Sequence, residues 1–385
     1  MRDLKPRYRG LVIGLLLMIS PAAFGENNVT LTLQSDGYTD DASPKTTGRE
    51  MAATIQLTYA REPFAVTLQT AYADAAVSRD DSADVTLAGV TDTLISASYT
   101  YPFPTRQTTK VFMKVDLNLP TGQENLDAGQ ATAESNLRGD LFRLDDFGEG
   151  LNVGVTMGLE GQIGGNTFGL YGGYTYYGPY DPRSDETADE YDPGDEIFAG
   201  VLYKRKGGTR YSLQAYLGYS YFDVDAVNEA DTLKIGDKLS AGADLQASLL
   251  ANLDVTLALQ YIFQFKSDDA VDGSLVKEPT NSNGPELFGA FGLTYRYHPR
   301  LSVRLVSELR YYGESDRKRD DLNLPYESRR VRYAIGSGLE YRITPAIAFH
   351  GLGSYFYLDS DPNANLTAQR RFQGLNLDIG MTYTF

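Results

Sequence analysis

The strongest constraint on this fold is an alternation of apolar and polar residues that recurs along most of the chain. In segment 252–266, apolar side chains occupy the odd positions from Leu253 to Phe265, and mostly polar or small residues lie between them. Successive side chains of a strand point to opposite faces, so this spacing gives one apolar and one polar face. Sixteen such runs are predicted, at 28–35, 51–60, 63–73, 90–102, 106–119, 149–162, 166–177, 195–206, 209–223, 236–249, 252–266, 285–298, 300–313, 328–343, 345–358 and 370–385.

The connections between these runs alternate in length. Short ones such as 164–165 and 207–208 alternate with long ones such as 120–148 and 178–194, which are rich in turn-forming residues. Membrane barrels have short turns at one end, long loops at the other and an even number of antiparallel strands, and a sheet in lipid must close. We therefore predict an all-β chain, with one transmembrane antiparallel up-and-down β-barrel over 26–385, about 16 strands (14 as the alternative) and both termini in the periplasm.

Residues 1–25 have the organisation of a signal peptide. Basic residues between Arg2 and Arg9 precede a short apolar run at 11–19, and Ala23 and Gly25 place small side chains before a cut at Glu26. The apolar run is too short to span a bilayer of about 30 Å comfortably. Export together with a barrel predicts a location in the cell outer membrane.

The composition argues against several classes of function. The chain has no Cys and 2 His, and Lys+Arg 35 against Asp+Glu 51 gives a net charge of −16. These numbers exclude disulfides and thiolate sites and do not favour nucleic acid as a partner. No nucleophile–base pattern typical of a hydrolase is present, so we expect no enzyme activity, no cofactor and no metal. The expected partners are outer-membrane lipid and lipopolysaccharide, the barrel-insertion machinery and small solutes, with a homo-oligomer as a further option.

If the apolar residues face lipid, the alternate residues line the lumen, and about sixteen strands leave a water-filled channel rather than a packed core. The last strands then supply a basic patch, Arg296, Arg304, Arg310, Arg330, Arg332 and Arg342. Other predicted pore-lining charges are Lys110, Lys114, Asp116, Glu308 and Glu340. The patch would attract anionic solutes. The alternative is that Glu308 and Glu340 pair with these arginines and the patch is structural.

The longest connection, 120–148, holds the same ordinal place as the third external loop of general porins, which folds inward. This positional resemblance implies a constriction in which acidic loop residues face the basic patch. The acids concerned are Glu124, Asp127, Glu134, Asp140, Asp145 and Asp146. The alternative is a solvated external loop.

Two further resemblances concern short motifs. The ending GMTYTF resembles the assembly signal of Gram-negative outer-membrane proteins, with Gly380, Tyr383 and Phe385 as the residues that the barrel-insertion machinery would read. The stretches LNLPTG (117–122) and LYGGYTYYG (170–178) resemble a family of outer-membrane transporters linked to meta-pathway phenol degradation. That second resemblance implies uptake of small aromatic or hydrophobic compounds.

Together these features predict an outer-membrane porin or channel for passive passage of small polar or anionic solutes. One alternative is a narrower channel for hydrophobic or aromatic compounds, which a lumen lined by Phe112, Phe198, Leu202, Ile262 and Phe288 would favour. The other alternative is a non-conducting barrel that serves as a structural anchor, adhesin or receptor.

Overall fold

A computed structural model describes residues 27–41, 43–80, 84–103, 108–126, 130, 141, 148–181, 190–208, 210–315, 328–361 and 369–385. The strands are β1 (Asn28–Asp40), β2 (Thr46–Arg61), β3 (Phe64–Arg79), β4 (Val85–Val90), β5 (Thr93–Pro102), β6 (Thr109–Leu119), β7 (Asn152–Ile163), β8 (Asn166–Tyr177), β9 (Tyr191–Asp192), β10 (Glu196–Gly207), β11 (Tyr211–Phe222), β12 (Val224–Val227), β13 (Ala230–Lys234), β14 (Lys238–Leu250), β15 (Leu253–Gln264), β16 (Asp268–Val271), β17 (Ser274–Lys277), β18 (Glu286–His298), β19 (Leu301–Tyr312), β20 (Arg330–Arg342), β21 (Ile347–Ser360) and β22 (Arg370–Thr384). In the described part of the chain, no helix is long and apolar enough to cross a membrane.

Seventeen of these strands form one antiparallel sheet that closes on itself. The short strand β4 and its successor β5 pair with the two halves of β3 and share one position in the wall, so the barrel has sixteen wall positions. Closure comes from β1 and β22, which pair from Asn28↔Thr384 to Asp40↔Phe372. The prediction of sixteen strands is confirmed, and the first predicted run belongs to the wall.

The outer face of the wall is apolar. Large side chains such as Leu170 (62% exposed) and Ile335 (58% exposed) project from it, and exposed tyrosines such as Tyr221 and Tyr341 lie near strand ends. An exposed apolar surface of this extent is unfavourable in water but matches the hydrocarbon core of a bilayer. These tyrosines have the position of the aromatic girdles that membrane barrels carry at the two membrane interfaces.

The two ends of the barrel differ. Both described termini lie at the end with the short turns, where Phe385 donates its backbone N–H to the Asn27 carbonyl oxygen at 2.9 Å. At the other end, three long connections contain strands, and β9, β12, β13, β16 and β17 form a second, five-stranded sheet. The sequence analysis treated these connections as loops.

Two tight hairpins explain this external sheet. Asn228 and Glu229 have φ of 51° and 64° between β12 and β13, and Asp272 and Gly273 have φ of 51° and 77° between β16 and β17. Two consecutive residues with positive φ form the turn that best matches the twist of an antiparallel hairpin. The strands are too short for their alternation to stand out in the sequence.

Candidate functional site: the barrel lumen and an inward-folded loop

Part of the lumen wall is packed with apolar side chains. Five wall residues, Tyr38, Leu87, Phe356, Leu358 and Phe372, are buried in a cluster that we call the external apolar cluster. They alternate with lipid-facing neighbours such as the exposed Tyr355 and Tyr357, so their side chains point into the barrel. The expectation of a water-filled interior without a packed core is therefore wrong for this part of the barrel. The alternation shows which residues share a face, but not which loop covers that face.

The connection between β6 and β7 supplies that cover. Leu126 (4% exposed) and Leu141 (2% exposed) belong to the external apolar cluster. Its wall residues come from β1, β2, β3, β4, β21 and β22. Of these strands, β21 lies six wall positions from β6, counted through β5, β3, β2, β1 and β22. Both leucines therefore lie on the lumen side of the wall, and this part of the connection folds into the barrel.

Among the acids predicted for this loop, only Glu124 lies in the described part of the chain. Desolvation raises the pKa of its carboxyl, and the nearby Asp92 and Asp181 carboxylates raise it further. Asp127, Glu134, Asp140, Asp145 and Asp146 lie outside the described residues. Their proposed role opposite a basic wall stays a prediction.

A single buried carboxylate forms hydrogen bonds with both ends of the β6–β7 connection. Asp92 (7% exposed) lies between the end of β4 and the start of β5. Its Oδ1 accepts the backbone N–H of Gly122 at 2.8 Å, where the loop leaves the wall. Its Oδ2 accepts the N–H of Glu149 at 2.8 Å, where the loop returns, and the side-chain amide of Asn118 at 2.7 Å. A carboxylate that accepts several N–H groups makes strong, directional contacts.

Sequence reasoning missed Asp92. The available signal was an interruption of the alternation at Thr91-Asp92, near the start of the predicted run 90–102. One extra residue enters the wall here, because Tyr72 pairs with Val90 whereas Gln69 pairs with Leu94. Such bulges redirect side chains and are typical of functional regions of barrels.

A second group of aromatic residues lines the lumen on the opposite part of the wall. We call Phe112, Tyr171, Phe198, Leu202 and Tyr216 the aromatic wall cluster. Each of the four rings lies against an inward-facing glycine of a neighbouring strand. A Cβ added at Gly158, Gly173, Gly200 or Gly242 would overlap the ring of Phe112, Phe198, Tyr171 or Tyr216, respectively. The rings therefore lie flat along the wall instead of projecting to the axis.

This cluster contains three of the residues that would favour a hydrophobic lumen, Phe112, Phe198 and Leu202. The remaining two, Ile262 and Phe288, also face the lumen. They lie directly opposite the inward-facing residues Ser240 and Gln260, and opposed residues share one face of the sheet. Tyr171 and Tyr216 are additions that the sequence analysis did not single out. Tyr171 pairs with Gly200 and Tyr216 with Gly242, and these glycines are recognisable as their neighbours only once the strands pair.

The six arginines of the predicted basic patch lie on the inward face, but in two groups. Arg310, Arg330 and Arg332 lie towards the long-loop end, where Arg310 is paired with Arg332 in the register. Arg296, Arg304 and Arg342 lie towards the short turns, and the separation of six positions between Arg304 and Arg310 corresponds to about 20 Å along a strand. A single continuous ladder is therefore not formed.

Glu308 forms ion pairs with two of the three arginines nearer the long loops. The Glu308 carboxylate Oε1 lies 2.6 Å from Arg332 Nη1 and 2.7 Å from Arg310 Nε. Arg332 is 5% exposed, also donates to Asn376 Oδ1 at 3.0 Å, and stacks 4.6 Å from the Phe356 ring centroid. These contacts match the structural alternative for the patch.

Most other predicted pore-lining charges are also paired. Lys114 Nζ lies 2.6 Å from Asp116 Oδ1, and Arg342 Nε lies 3.6 Å from Glu340 Oε1. Arg296 Nη1 lies 2.5 Å from Asp254 Oδ2 at the short-turn end. Lys110 pairs in the register with Glu160, whose Oε1 lies 2.7 Å from Lys204 Nζ. No ion-pair partner of Arg304 lies among the described residues, and its side chain is exposed.

The three residues of the predicted assembly signal lie on the last strand and just beyond it. Tyr383 and Phe385 stack with ring centroids 5.9 Å apart on the lipid-facing side. A Cβ added at Gly380 would overlap the His350 ring, so this glycine makes room for an inward histidine. Whether the insertion machinery reads these residues stays a prediction.

Comparisons with known proteins give low similarity throughout. No family model matches, and no curated protein matches. Among solved structures, the CymD monoaromatic hydrocarbon channel has a TM-score of 0.43 and 13% identity, over 94% of this chain and 89% of that chain. A Pseudomonas aeruginosa FadL homologue has a TM-score of 0.47 and 11% identity, over 93% and 90%. A mutant of the Rhodopseudomonas blastica porin has a TM-score of 0.30 and 14% identity, over 94% and 99%.

The class of protein follows from the chain's own geometry. A closed antiparallel barrel of sixteen wall strands, apolar outside and carrying short turns at one end and long connections at the other, is the architecture of outer-membrane barrels. The chain is an outer-membrane β-barrel. With TM-scores below 0.5, the compared structures do not add to this conclusion.

Proposed function

We propose that this barrel is a channel for the passive passage of small, uncharged, apolar or aromatic solutes across the outer membrane. The observation that carries the proposal is the aromatic wall cluster, whose rings lie flat against glycines of the lumen wall. Flat rings offer an apolar contact surface without filling the lumen. Aromatic solutes can stack on such rings with weak, reversible contacts, which suits passage rather than storage.

The pairing of lumen charges supports the same solute class. Glu308 forms ion pairs with both Arg310 and Arg332, and Asp116 pairs with Lys114, so the field that these cations present to an anion is reduced. The folded-in loop occupies part of the lumen cross-section, with Leu126 and Leu141 buried against the wall. An uncharged solute therefore finds partly exposed apolar surface at Phe112 and Phe198 in a lumen that the loop narrows.

One specific observation keeps the polar or anionic porin as a second candidate. Arg304 and Arg342 are exposed near the short-turn end, and the Arg342–Glu340 contact is long at 3.6 Å. Exposed guanidinium groups in a water-filled vestibule would attract anions and carboxylates.

A flux measurement separates these candidates. The barrel is reconstituted in vesicles with a lipopolysaccharide outer leaflet, and stopped-flow uptake of benzyl alcohol is compared with that of benzoate. The proposal predicts faster entry of benzyl alcohol, and a severalfold loss of that entry in Phe198→Ala. The matched control is Phe168→Ala on the lipid-facing side of the adjacent strand, which should leave both rates unchanged.

The remaining outcomes identify the rivals. Faster entry of benzoate, insensitive to Phe198→Ala, would assign the barrel to the anionic porins. No flux of either probe through a correctly folded barrel would support the structural anchor, adhesin or receptor. Heat-modifiable gel migration verifies that each variant has formed the barrel.

A further inference from the structure

One lumen carboxylate, Asp244 of β14, differs from Asp116 and Glu308 in its surroundings. It lies two residues from Gly242, against which the inward ring of Tyr216 packs, so its side chain also faces the lumen. Among the described residues, Asp244 has no ion-pair partner and accepts no hydrogen bond, whereas Asp116 and Glu308 are both paired with cations. Its carboxylate is partly exposed, so it can accept hydrogen bonds from a ligand that enters the lumen.

Two buried polar side chains beside Asp244 carry atoms that need a partner. The Tyr216 ring (7% exposed) lies over Gly242, and Gln260 (5% exposed) is directly opposite Gly242 on β15. In the part of the chain that the structure describes, neither Tyr216 Oη nor the Gln260 amide Nε2 has a hydrogen-bond partner. Buried polar atoms in folded proteins are nearly always hydrogen-bonded, so these two atoms indicate that a ligand or water completes the site.

Small residues leave a recess in the wall next to this carboxylate. Ala258 of β15 lies directly opposite Asp244, and Ala290 of β18 lies directly opposite Ala258. Phe288, two positions from Ala290 on the same inward face, bounds the recess towards the long-loop end. Two strand spacings of about 4.8 Å separate the β14 and β18 positions, which leaves room for one aromatic ring with a short side arm.

The cations of the neighbouring strands are placed elsewhere. Lys204 lies two strands from Asp244 in the same row, and its ammonium is bound to Glu160 at 2.7 Å. The Arg304 guanidinium nitrogens Nε and Nη2 lie 3.8 Å from the position that a Cβ would take on Gly292, nearer the short turns. Within the described ranges, no protein cation therefore lies against the Asp244 carboxylate, and its negative charge attracts a cationic ligand.

We propose that this recess binds an organic ammonium ion that carries a hydroxyl group two carbons away, of the arylethanolamine type. The ammonium, which has only donors, binds the Asp244 carboxylate, and the ligand hydroxyl accepts from the Gln260 amide. Diagonal neighbours on one face of paired strands lie about 7–8 Å apart, a span that a two-carbon amino alcohol bridges with a hydrogen bond of about 3 Å at each end. The aromatic ring of the ligand lies over Ala258 and Ala290 against Phe288.

This site goes beyond the proposed passage of uncharged solutes, because it selects a cation. It is tested by binding rather than by flux, so its failure and a failure of the proposed channel function are distinguishable.

Ligand-observed NMR titration of the full-length barrel in a non-ionic detergent at pH 7 tests the site, with protonated 2-amino-1-phenylethanol as the probe. Loss of a hydrogen bond to a charged group weakens binding about tenfold or more, so Asp244→Asn should raise the Kd of this probe by that factor. Gln260→Met keeps the length of the side chain but removes the amide, and it should raise the Kd severalfold. Asp244→Glu keeps the charge and should retain most of the binding.

Two analogues of the probe separate the two polar contacts. 2-Phenylethylamine lacks the hydroxyl, so its Kd should respond to Asp244→Asn but not to Gln260→Met. 1-Phenylethanol lacks the ammonium, so it should bind weakly and should not respond to Asp244→Asn. The matched control is Glu340→Gln, which removes a lumen carboxylate four wall positions from β14 and should leave each Kd unchanged. Its distance of roughly 19 Å exceeds the Debye length of about 10 Å at 0.1 M salt.

Three results would overturn the proposal. The first is an equal Kd of the amino alcohol for Asp244→Asn and the unsubstituted barrel. The second is a loss of 1-phenylethanol binding in Asp244→Asn as large as the loss of the amine, because the substitution would then have changed the wall and not an ionic contact. The third is unchanged binding of the amino alcohol in Gln260→Met. Heat-modifiable gel migration verifies that each variant has formed the barrel.

Discussion

The Glu149 backbone N–H donates to Asp92 Oδ2 at 2.8 Å, although 57 residues separate the two along the chain. The other oxygen of the same carboxylate accepts the N–H of Gly122. One side chain of the wall thus ties the start and the end of the β6–β7 connection to the same point. The loop that enters the lumen is fixed at its roots by Asp92 and within the barrel by Leu126 and Leu141.

Replacing Asp92 should release this loop. Asp92→Ala removes an acceptor of three N–H groups, and hydrogen bonds to a charged group are worth about 1.5–3 kcal/mol each. We expect single-channel conductance in planar bilayers to rise severalfold and to become noisier. Asp272→Ala, at the tip of an external hairpin, is the control that should not change it. Unchanged conductance in Asp92→Ala would mean that the loop does not narrow the channel.

The apolar contacts of Leu126 and Leu141 with the wall can be disrupted without changing the hydrogen bonds of Asp92. Leu126→Asp or Leu141→Asp would place a carboxylate among Tyr38, Phe356 and Leu358, and an unpaired buried charge is strongly unfavourable. We expect the loop to leave the lumen, with increased conductance and new protease cleavage between 124 and 146. Deletion of 124–146 should give the same conductance. If the point variants and the deletion differ in conductance, the external apolar cluster does not hold the loop in place.

The two groups of arginines should respond differently to the same substitution. Arg332→Gln breaks a buried pair with Glu308, which typically costs about 3–5 kcal/mol, so we expect a lower unfolding temperature on heat-modifiable gels. Arg304→Gln removes an exposed charge, so stability should hold while the reversal potential in a salt gradient shifts towards cation selectivity. A larger selectivity shift in Arg332→Gln than in Arg304→Gln would contradict this division.

The external sheet should become less stable as the pH rises from about 4 to about 6. Burial raises the pKa of Asp225 to about 6, although it accepts hydrogen bonds from Tyr191 Oη and the Gly194 N–H, each at 2.8 Å. The folded pKa exceeds the unfolded one, so its contribution to stability is full below the unfolded pKa and is lost as pH rises through the folded pKa.

Hydrogen exchange of β9 and β12, corrected for intrinsic rates, measures this effect. Protection should decrease between pH 4 and pH 6 in the unsubstituted chain, and Asp225→Asn should flatten the profile. A profile that is equally steep in Asp225→Asn would assign the pH dependence to other carboxyl groups of the loops.

The wall of the barrel was predictable because its signal is local. Each run, such as 166–177, carries its own alternation, and the short turns between runs fix antiparallel neighbours. The alternation also placed Arg310 and Arg332 on the inward face before any strand pairing was known. It could not show that Glu308 pairs with both arginines, because the Glu308–Arg332 contact depends on the relative register of β19 and β20.

The lumen illustrates the limit of such reasoning. Inward position is a property of one strand, and the sequence by itself determined it for Phe112, Phe198 and Leu202. That these rings lie flat depends on Gly158 and Gly173, which become neighbours only when strands pair. Likewise, Asp92 holds Gly122 and Glu149 only because the closed sheet brings distant segments together. The sequence therefore determined the barrel and its two faces, whereas only the tertiary structure decided what occupies the lumen, because occupancy results from contacts between segments far apart in the chain.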